Sequence, residues 1–166
     1  MRVITGKFRG RKLVAPKGDT TRPTADRTRE TLFNMLTSRL GTFEDLTVAD
    51  LFAGSGALGI EALSRGTKNC LFVEEDSVAL KALRKNIESL DLRAATRIEN
   101  GSVMRLGPAR EPYDLIMLDP PYATGAGNVA LDRLLRLNWI GAQTWIALET
   151  GAKEDVAIKG LSLIHI

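Results

Sequence analysis

Apolar positions along this chain follow two rhythms in turn. The runs TVADLF (47–52), NCLFVEE (69–75), YDLIML (113–118) and TWIALE (144–149) are short and nearly continuous, which predicts buried strands, and AATRIE (94–99) predicts a weaker fifth. Between them the spacing stretches to three and four. RPTADRTRETLFNMLTSRLG predicts a helix with Thr24 as its N-cap, Leu32, Phe33, Met35, Leu36 and Leu40 on its apolar face, and Gly41 as its stop. A second helix is expected from Ala57 to Arg65, ended by Gly66. A third is capped by Ser77 with Val78, Leu80, Leu83, Ile87 and Leu90 inside, and a fourth covers residues 128–138. Before all of these, VITGKFRGRKLV alternates like a hairpin.

Strands that alternate with helices predict βαβ units, right-handed crossovers and an α/β fold with a mostly parallel central sheet covered on both faces. Ligands of such sheets bind beyond the carboxyl ends of the strands. The unusual residues stand at those ends: Gly54 after the first strand, Glu74 after the second, Ser102 after the third and Asp119 after the fourth.

Composition narrows the class. With 166 residues, 44% of them apolar and 26% charged, the chain reads as one globular domain, residues 1–166, comprising a basic arm and helix (1–41) and a core (42–166). It has no run near the roughly 18 apolar residues of a membrane span, and its N-terminus lacks the apolar centre of a secretory signal. The single cysteine, Cys70, sits in an apolar run, where it reads as a small buried hydrophobe in a reducing, cytoplasmic compartment. The one histidine, His165, rules out a His-based metal cluster or a Ser-His triad. Charge is divided unevenly. Residues 1–40 carry a net +7, including Arg9, Arg11, Lys12, Arg22 and Arg27, while the remainder carries −4, for +3 overall. A basic arm on an acidic body points to a polyanionic partner, since the alternation within the arm argues against a merely solvated tail.

Two motifs carry chemistry. AGSGALG places Gly54, Gly56 and Gly59 in G-x-G-x-x-G spacing between a strand and a helix, which lets a ligand approach backbone N–H groups at the helix N-terminus. Twenty residues beyond Gly54 stands Glu74, where an acid accepts hydrogen bonds from ribose hydroxyls. The pattern alone does not separate a dinucleotide from an adenosine ligand. LIMLDPPYAT (115–124) separates them. A dehydrogenase has no use for Asp119-Pro120-Pro121-Tyr122, whereas methyl transfer to the exocyclic amine of a base does. That nitrogen is a poor nucleophile because its lone pair is delocalised into the ring. Acceptors aimed at its N–H groups, here the Asp119 carboxylate and the Pro120 carbonyl, localise the pair. The prolines stiffen the turn, and Tyr122 offers a flat face to the base. A strand stopped by Pro-Pro would explain the prolines alone, without the flanking acid and ring.

With these motifs in place, the chain resembles the class I S-adenosylmethionine-dependent methyltransferases, and most closely the 16S ribosomal RNA guanine-N2 methyltransferases of the RsmD type. The resemblance runs through TGKFRGRKL, RPTADRTRETLFNML, DLFAGSGALGIEALSRG, FVEED and LIMLDPPY. It implies a Rossmann-like fold and S-adenosyl-L-methionine as cofactor, its methionine and sulfonium near Asp50, Ala53, Gly54 and Gly56. The ribose falls to Glu74 and the adenine near Gly101 and Ser102. Asp119, Pro120, Pro121 and Tyr122 become the target-base site, and no metal is implied. The partner implied is small-subunit ribosomal RNA or the assembling 30S subunit, with Arg9, Arg11, Lys12, Arg22 and Arg27 on RNA phosphates and the protein a monomer. Arg22 and Arg27 serve equally well as part of a lid over the cofactor. Two departures stand out. Relatives usually carry Asp where this chain has Ser102, and only GLSLIHI follows Lys159, so the sheet-closing C-terminal hairpin is expected to be incomplete. Three rivals remain: a DNA adenine-N6 methyltransferase, a protein glutamine methyltransferase, and a non-catalytic RNA-binding assembly factor on the same fold.

Overall fold

The computed structural model describes residues 1–17, 23–156 and 158. Along the chain lie α1 (Pro23–Leu40), β1 (Thr47–Leu51), α2 (Ala57–Ser64), β2 (Asn69–Glu74), α3 (Ser77–Ser89), β3 (Thr96–Asn100), β4 (Leu115–Leu118), α4 (Ala126–Arg136) and β5 (Trp145–Leu148). Single 3-10 turns at Arg93–Ala95 and Val103–Arg105 flank β3. The strands form one sheet in the order β3-β2-β1-β4-β5, every ladder parallel. The sheet therefore grows outward from β1 in both directions, and the reversal falls between β1 and β4.

Successive side chains of a strand point to opposite faces, and the buried runs divide accordingly. Val48, Cys70, Phe72, Leu115 and Met117 pack with Phe33 of α1, Ile60 of α2 and Leu83 of α3. Ala49, Leu51, Leu71, Val73, Ile116 and Leu118 pack with Ala130, Leu131 and Leu134 of α4. Both faces are covered, which is why these strands read as unbroken apolar runs.

The elements appear where the pattern puts them, with local shifts that have causes. α1 begins at Pro23, so Thr24 lies within the helix and not at its cap; proline suits the first helical position because its missing N–H would have no partner there. α3 is capped by Asp76 rather than Ser77, the Asp76 carboxylate accepting from the Ala79 N–H at 2.7 Å. Val78, expected inside, is 47% exposed because it lies on the solvent side of the first turn. α4 starts two residues early, at Ala126, behind Gly125 in the left-handed region, and Asn138, also left-handed, follows its end. β4 starts at Leu115; Asp114 before it still bonds to both neighbours, its N–H on the Thr47 carbonyl at 3.0 Å and its carbonyl accepting from the Trp145 N–H at 2.9 Å, while the Tyr113 ring stacks on Trp139.

The basic arm is fastened to the body. Arg2 and Lys12 form an antiparallel bridge, and Val3 and Leu13 are buried. Glu61 of α2, 1% exposed, accepts from the backbone N–H groups of Ile4 at 2.9 Å and Thr5 at 3.0 Å. It also pairs with the buried guanidinium of Arg65 at 3.1 Å and lies 4.0 Å from that of Arg29. At the arm's other end Asn86 of α3 clasps Val14 through both its N–H and its carbonyl, and donates to the Ser55 carbonyl at 2.9 Å. The arm thus leaves the body beside the glycine loop. Arg22 and the residues from 159 on, including His165 and the expected incomplete hairpin, lie outside the described residues.

Candidate active site

The carboxyl ends of the strands surround a cleft of 420 Å³, lined by Phe52, Val73, Glu74, Glu75, Asp76, Gly101, Val103 and the run Asp119 to Tyr122. That volume is in the range of small-molecule sites, about 300–1,000 Å³. Its walls come from the segments following β1, β2, β3 and β4, which brings Gly101, Glu74 and the Asp-Pro-Pro-Tyr run to one place from distant parts of the chain.

The three glycines of the loop do different work. At Gly54, φ is +57° and a side-chain carbon would meet nothing within 4 Å, so the chain makes a left-handed turn beside open space. At Gly56 such a carbon would lie 2.4 Å from Leu83 Cδ1, and at Gly59 it would lie 2.4 Å from the Phe72 ring and 2.7 Å from Cys70 Sγ. Gly59 lets α2 sit down on β2, and Gly56, with φ +84°, leaves room for Leu83 of α3.

Carboxylates frame this loop. Asp50, 1% exposed at the end of β1, accepts from the Gly59 N–H at 2.9 Å through Oδ2, bracing the start of α2. Its Oδ1 is buried without a hydrogen-bond partner among the described residues. Burial pushes the Asp50 carboxyl well above the usual range; the Gly59 bond opposes this, and the charges of Asp119 and Glu74 add to it. Glu74 accepts from the Gly54 N–H at 2.7 Å through Oε2, and from the N–H groups of Glu75 and Asp76 at 2.9 and 2.8 Å through Oε1. A carboxylate has about four acceptor positions, so Glu74 both shapes the loop and retains capacity for a hydroxyl. Open space at Gly54 and acceptor capacity at Glu74 fit the ribose and methionine portions of S-adenosylmethionine. Gly101 lines the cleft, whereas the Ser102 hydroxyl accepts from the Met104 N–H at 3.2 Å, capping the turn that follows. Ala53 is buried under the loop, with its N–H on the Val73 carbonyl at 3.0 Å.

Across the cleft, Asp119 is exposed immediately after β4, while Pro120 is buried with its Cγ near Gly127 of α4. The Thr124 hydroxyl donates to the Pro121 carbonyl at 2.8 Å and accepts from the Ala126 N–H at 3.3 Å, so the loop closes on itself. Tyr122, 62% exposed, donates its hydroxyl to Glu149. That bond to Glu149, with lesser contributions from burial and from the charges of Glu149 and Asp119, pushes the Tyr122 hydroxyl up to about 12.

Arg9, Arg11, Lys12 and Arg27 are exposed, and the Arg11 guanidinium donates to the Ser89 carbonyl at 2.9 Å, at the end of α3 remote from Asp76. α3 is 13 residues long, about 20 Å at 1.5 Å per residue. Among the participants that the pattern of the sequence missed are Phe52, Glu61 and Asn86. Phe52, with φ +60°, lines the cleft just before the glycine motif. Glu61 and Asn86 tie the arm down, and a lone acid or amide within an apolar helix face was their only signal.

A model of the family described as Conserved hypothetical protein 95 matches residues 1–165. Ribosomal RNA small subunit methyltransferase D of Escherichia coli strain K12 is 35% identical over 150 residues, covering 90% of this chain and 74% of the relative. The protein of the same name from Haemophilus influenzae is 39% identical over 154 residues, covering 90% and 78%. Among solved structures, the yhhF protein of Escherichia coli superposes with a TM-score of 0.82 at 35% identity, covering 95% of this chain and 85% of that one.

Proposed function

The chain belongs to the family described as Conserved hypothetical protein 95, and we propose that it methylates the exocyclic N2 amine of one guanine in small-subunit ribosomal RNA. Its fold is that of the class I methyltransferases and its cofactor is S-adenosyl-L-methionine. Relatives named Ribosomal RNA small subunit methyltransferase D support ribosomal RNA as the acceptor, and the resemblance of the chain to the guanine-N2 enzymes supports a target of the guanine-966 type. The observation that carries the reading is that Asp119, Pro120, Pro121 and Tyr122 face Glu74 and Gly101 across one cleft.

Bound S-adenosylmethionine supplies a methyl group made electrophilic by the sulfonium charge. Asp50, Ala53, Gly54, Gly56, Glu74, Gly101 and Ser102 hold and orient the donor side. Asp119 and the Pro120 carbonyl would accept the amine N–H groups, freeing the nitrogen lone pair to attack the methyl carbon as its bond to sulfur breaks and leaves a neutral thioether, with the amine proton passing to Asp119 or to water. The flipped guanine rests against Tyr122. Ser102 is a neutral acceptor for the adenine amino group where relatives carry a charged one, and a charged acceptor holds a donor more strongly. Ser102→Asp should therefore tighten the dissociation constant for S-adenosylmethionine about threefold to tenfold, by roughly 0.7–1.4 kcal/mol, in titration calorimetry; an unchanged constant removes Ser102 from the adenine site.

Arg9, Arg11 and Lys12 engage phosphates flanking the target, with Lys81 and Lys85 exposed on α3 along the way to the cleft. Arg27, exposed on α1, would engage the RNA or form part of a lid over the cofactor. Because each phosphate contact contributes about 0.7 to the salt slope for single-stranded RNA, Arg9→Ala with Lys12→Ala should lower that slope by about 1.4. An unaltered slope would strike the arm from the RNA surface. The protein acts as a cytoplasmic monomer on the assembling subunit.

The direct test incubates the protein with labelled S-adenosylmethionine and small-subunit particles lacking the modification, then maps the labelled nucleotide. Label at the N2 position of one guanine upholds the reading. Label on adenine, on DNA or on a protein glutamine selects a rival, and no label in any acceptor selects a non-catalytic assembly role.

A further inference from the structure

The end of β5 reaches the target-base site through the sheet itself. Leu118 pairs with Leu148, and the Glu149 N–H donates to the Leu118 carbonyl at 2.9 Å. The first residue beyond β5 therefore lies beside the first beyond β4, which is Asp119. Adjacent strands are about 4.8 Å apart, so these two acids issue from neighbouring strand ends. The Glu149 side chain accepts the Tyr122 hydroxyl through Oε1. This bond runs from the tip of the loop to the sheet, and it contacts the only part of Tyr122 that is not ring face or edge.

From this geometry we propose that Glu149 is a positioning residue, which holds the Tyr122 ring at the mouth of the cleft in the pose that receives the flipped base. The inference rests on the target-base assignment of Tyr122 given above. The bonds of the Thr124 hydroxyl to the Pro121 carbonyl and the Ala126 N–H act on backbone, so they leave the rotation of the ring unconstrained. A tyrosine that is 62% exposed would otherwise sample several rotamers, and binding would have to select one of them. The acceptor is a carboxylate, which makes the bond stronger than one to a neutral oxygen. It also favours the protonated phenol, and Asp119 acts in the same direction. The ring that meets the base thus stays neutral well into alkaline solution and adds no negative charge near the RNA backbone.

The test compares Glu149→Ala, Glu149→Gln, Tyr122→Phe and the double variant Glu149→Ala/Tyr122→Phe in steady-state methylation of small-subunit particles, together with ultraviolet titration of the phenols up to about pH 11. Glu149→Ala is expected to raise KM for the RNA about tenfold with kcat within about twofold, since a pose is lost and no reacting contact. Glu149→Gln, whose amide oxygen still accepts, recovers most of that loss. Tyr122→Phe reproduces it, and the double variant is no worse than either single one, because both changes cut the same bond. In the titration, Glu149→Ala brings one phenol down to about 10, and this transition is missing from the double variant; the wild-type Tyr122 stays un-ionised over the range. A wild-type KM in Glu149→Ala, additive losses in the double variant, or an unshifted phenol each overturns the inference. If the wild-type protein labels no RNA, the methylation reading fails on its own, while the titration still reports whether Glu149 holds the ring.

Discussion

Asp119→Ala is expected to lower the rate of methyl transfer by about 10²- to 10³-fold, the scale of losing one preorganised electrostatic partner of a transition state. The residue is the first after β4, exposed in the cleft opposite Glu74. In the proposed reaction its carboxylate accepts an N–H whose bond strengthens as the amine gives up conjugation, so the contact tightens on the way to the transition state and contributes to kcat more than to binding. Asp119→Asn keeps an oxygen acceptor but adds an N–H₂ that competes for the same site, and should fall between wild type and alanine. Cofactor affinity should change little, because Glu74 and the glycine loop hold the other wall. Single-turnover transfer from labelled S-adenosylmethionine, with calorimetry for cofactor binding, checks both halves. An alanine variant as fast as wild type would remove the acid from the chemistry.

The second large effect is on stability. Glu61→Ala should destabilise the protein by about 3–5 kcal/mol, the usual cost of stripping one partner from a buried charge cluster. Glu61 is 1% exposed and the side chains of Arg29 and Arg65 beside it are 5% and 9% exposed. Removing the carboxylate takes the ion-pair partner from Arg65, leaves Arg29 with Asp26 alone, and leaves the Ile4 and Thr5 N–H groups without their acceptor. With folding stabilities of about 5–15 kcal/mol in general, the loss is a large fraction of the whole. Glu61→Gln keeps acceptors for the arm's N–H groups but not the charge, and should cost less. Urea denaturation followed by circular dichroism measures the difference, and a change below about 1 kcal/mol would mean that the arm is not held through Glu61. In a variant that still folds, RNA binding should weaken together with stability, since Arg9, Arg11 and Lys12 are carried on the detached strand.

The reading of the sequence was most successful where the signal was local. Each βαβ unit was visible because both faces of the sheet are covered and its strands are therefore unbroken apolar runs. The glycine loop was visible because a left-handed turn at Gly54 requires a glycine. Boundaries slipped at helix ends, as at α4, which starts two residues early behind the left-handed Gly125. Cap choice slipped by one residue at Asp76 because Asp and Ser cap by the same hydrogen bond and adjoin in the chain.

Local patterning along the chain settled the class of fold, the order of its elements, and the residues that stand at the carboxyl ends of the strands, because periodicity and turn chemistry depend only on near neighbours. Tertiary structure alone decided how those ends converge: that Gly101, Glu74 and Asp119 share one cleft, that Glu61 and Asn86 bind the arm to α2 and α3, and that Glu149 comes to lie beside Asp119. These contacts join residues separated by as many as 72 positions, and each depends on strand register and helix packing, which no short stretch of sequence encodes.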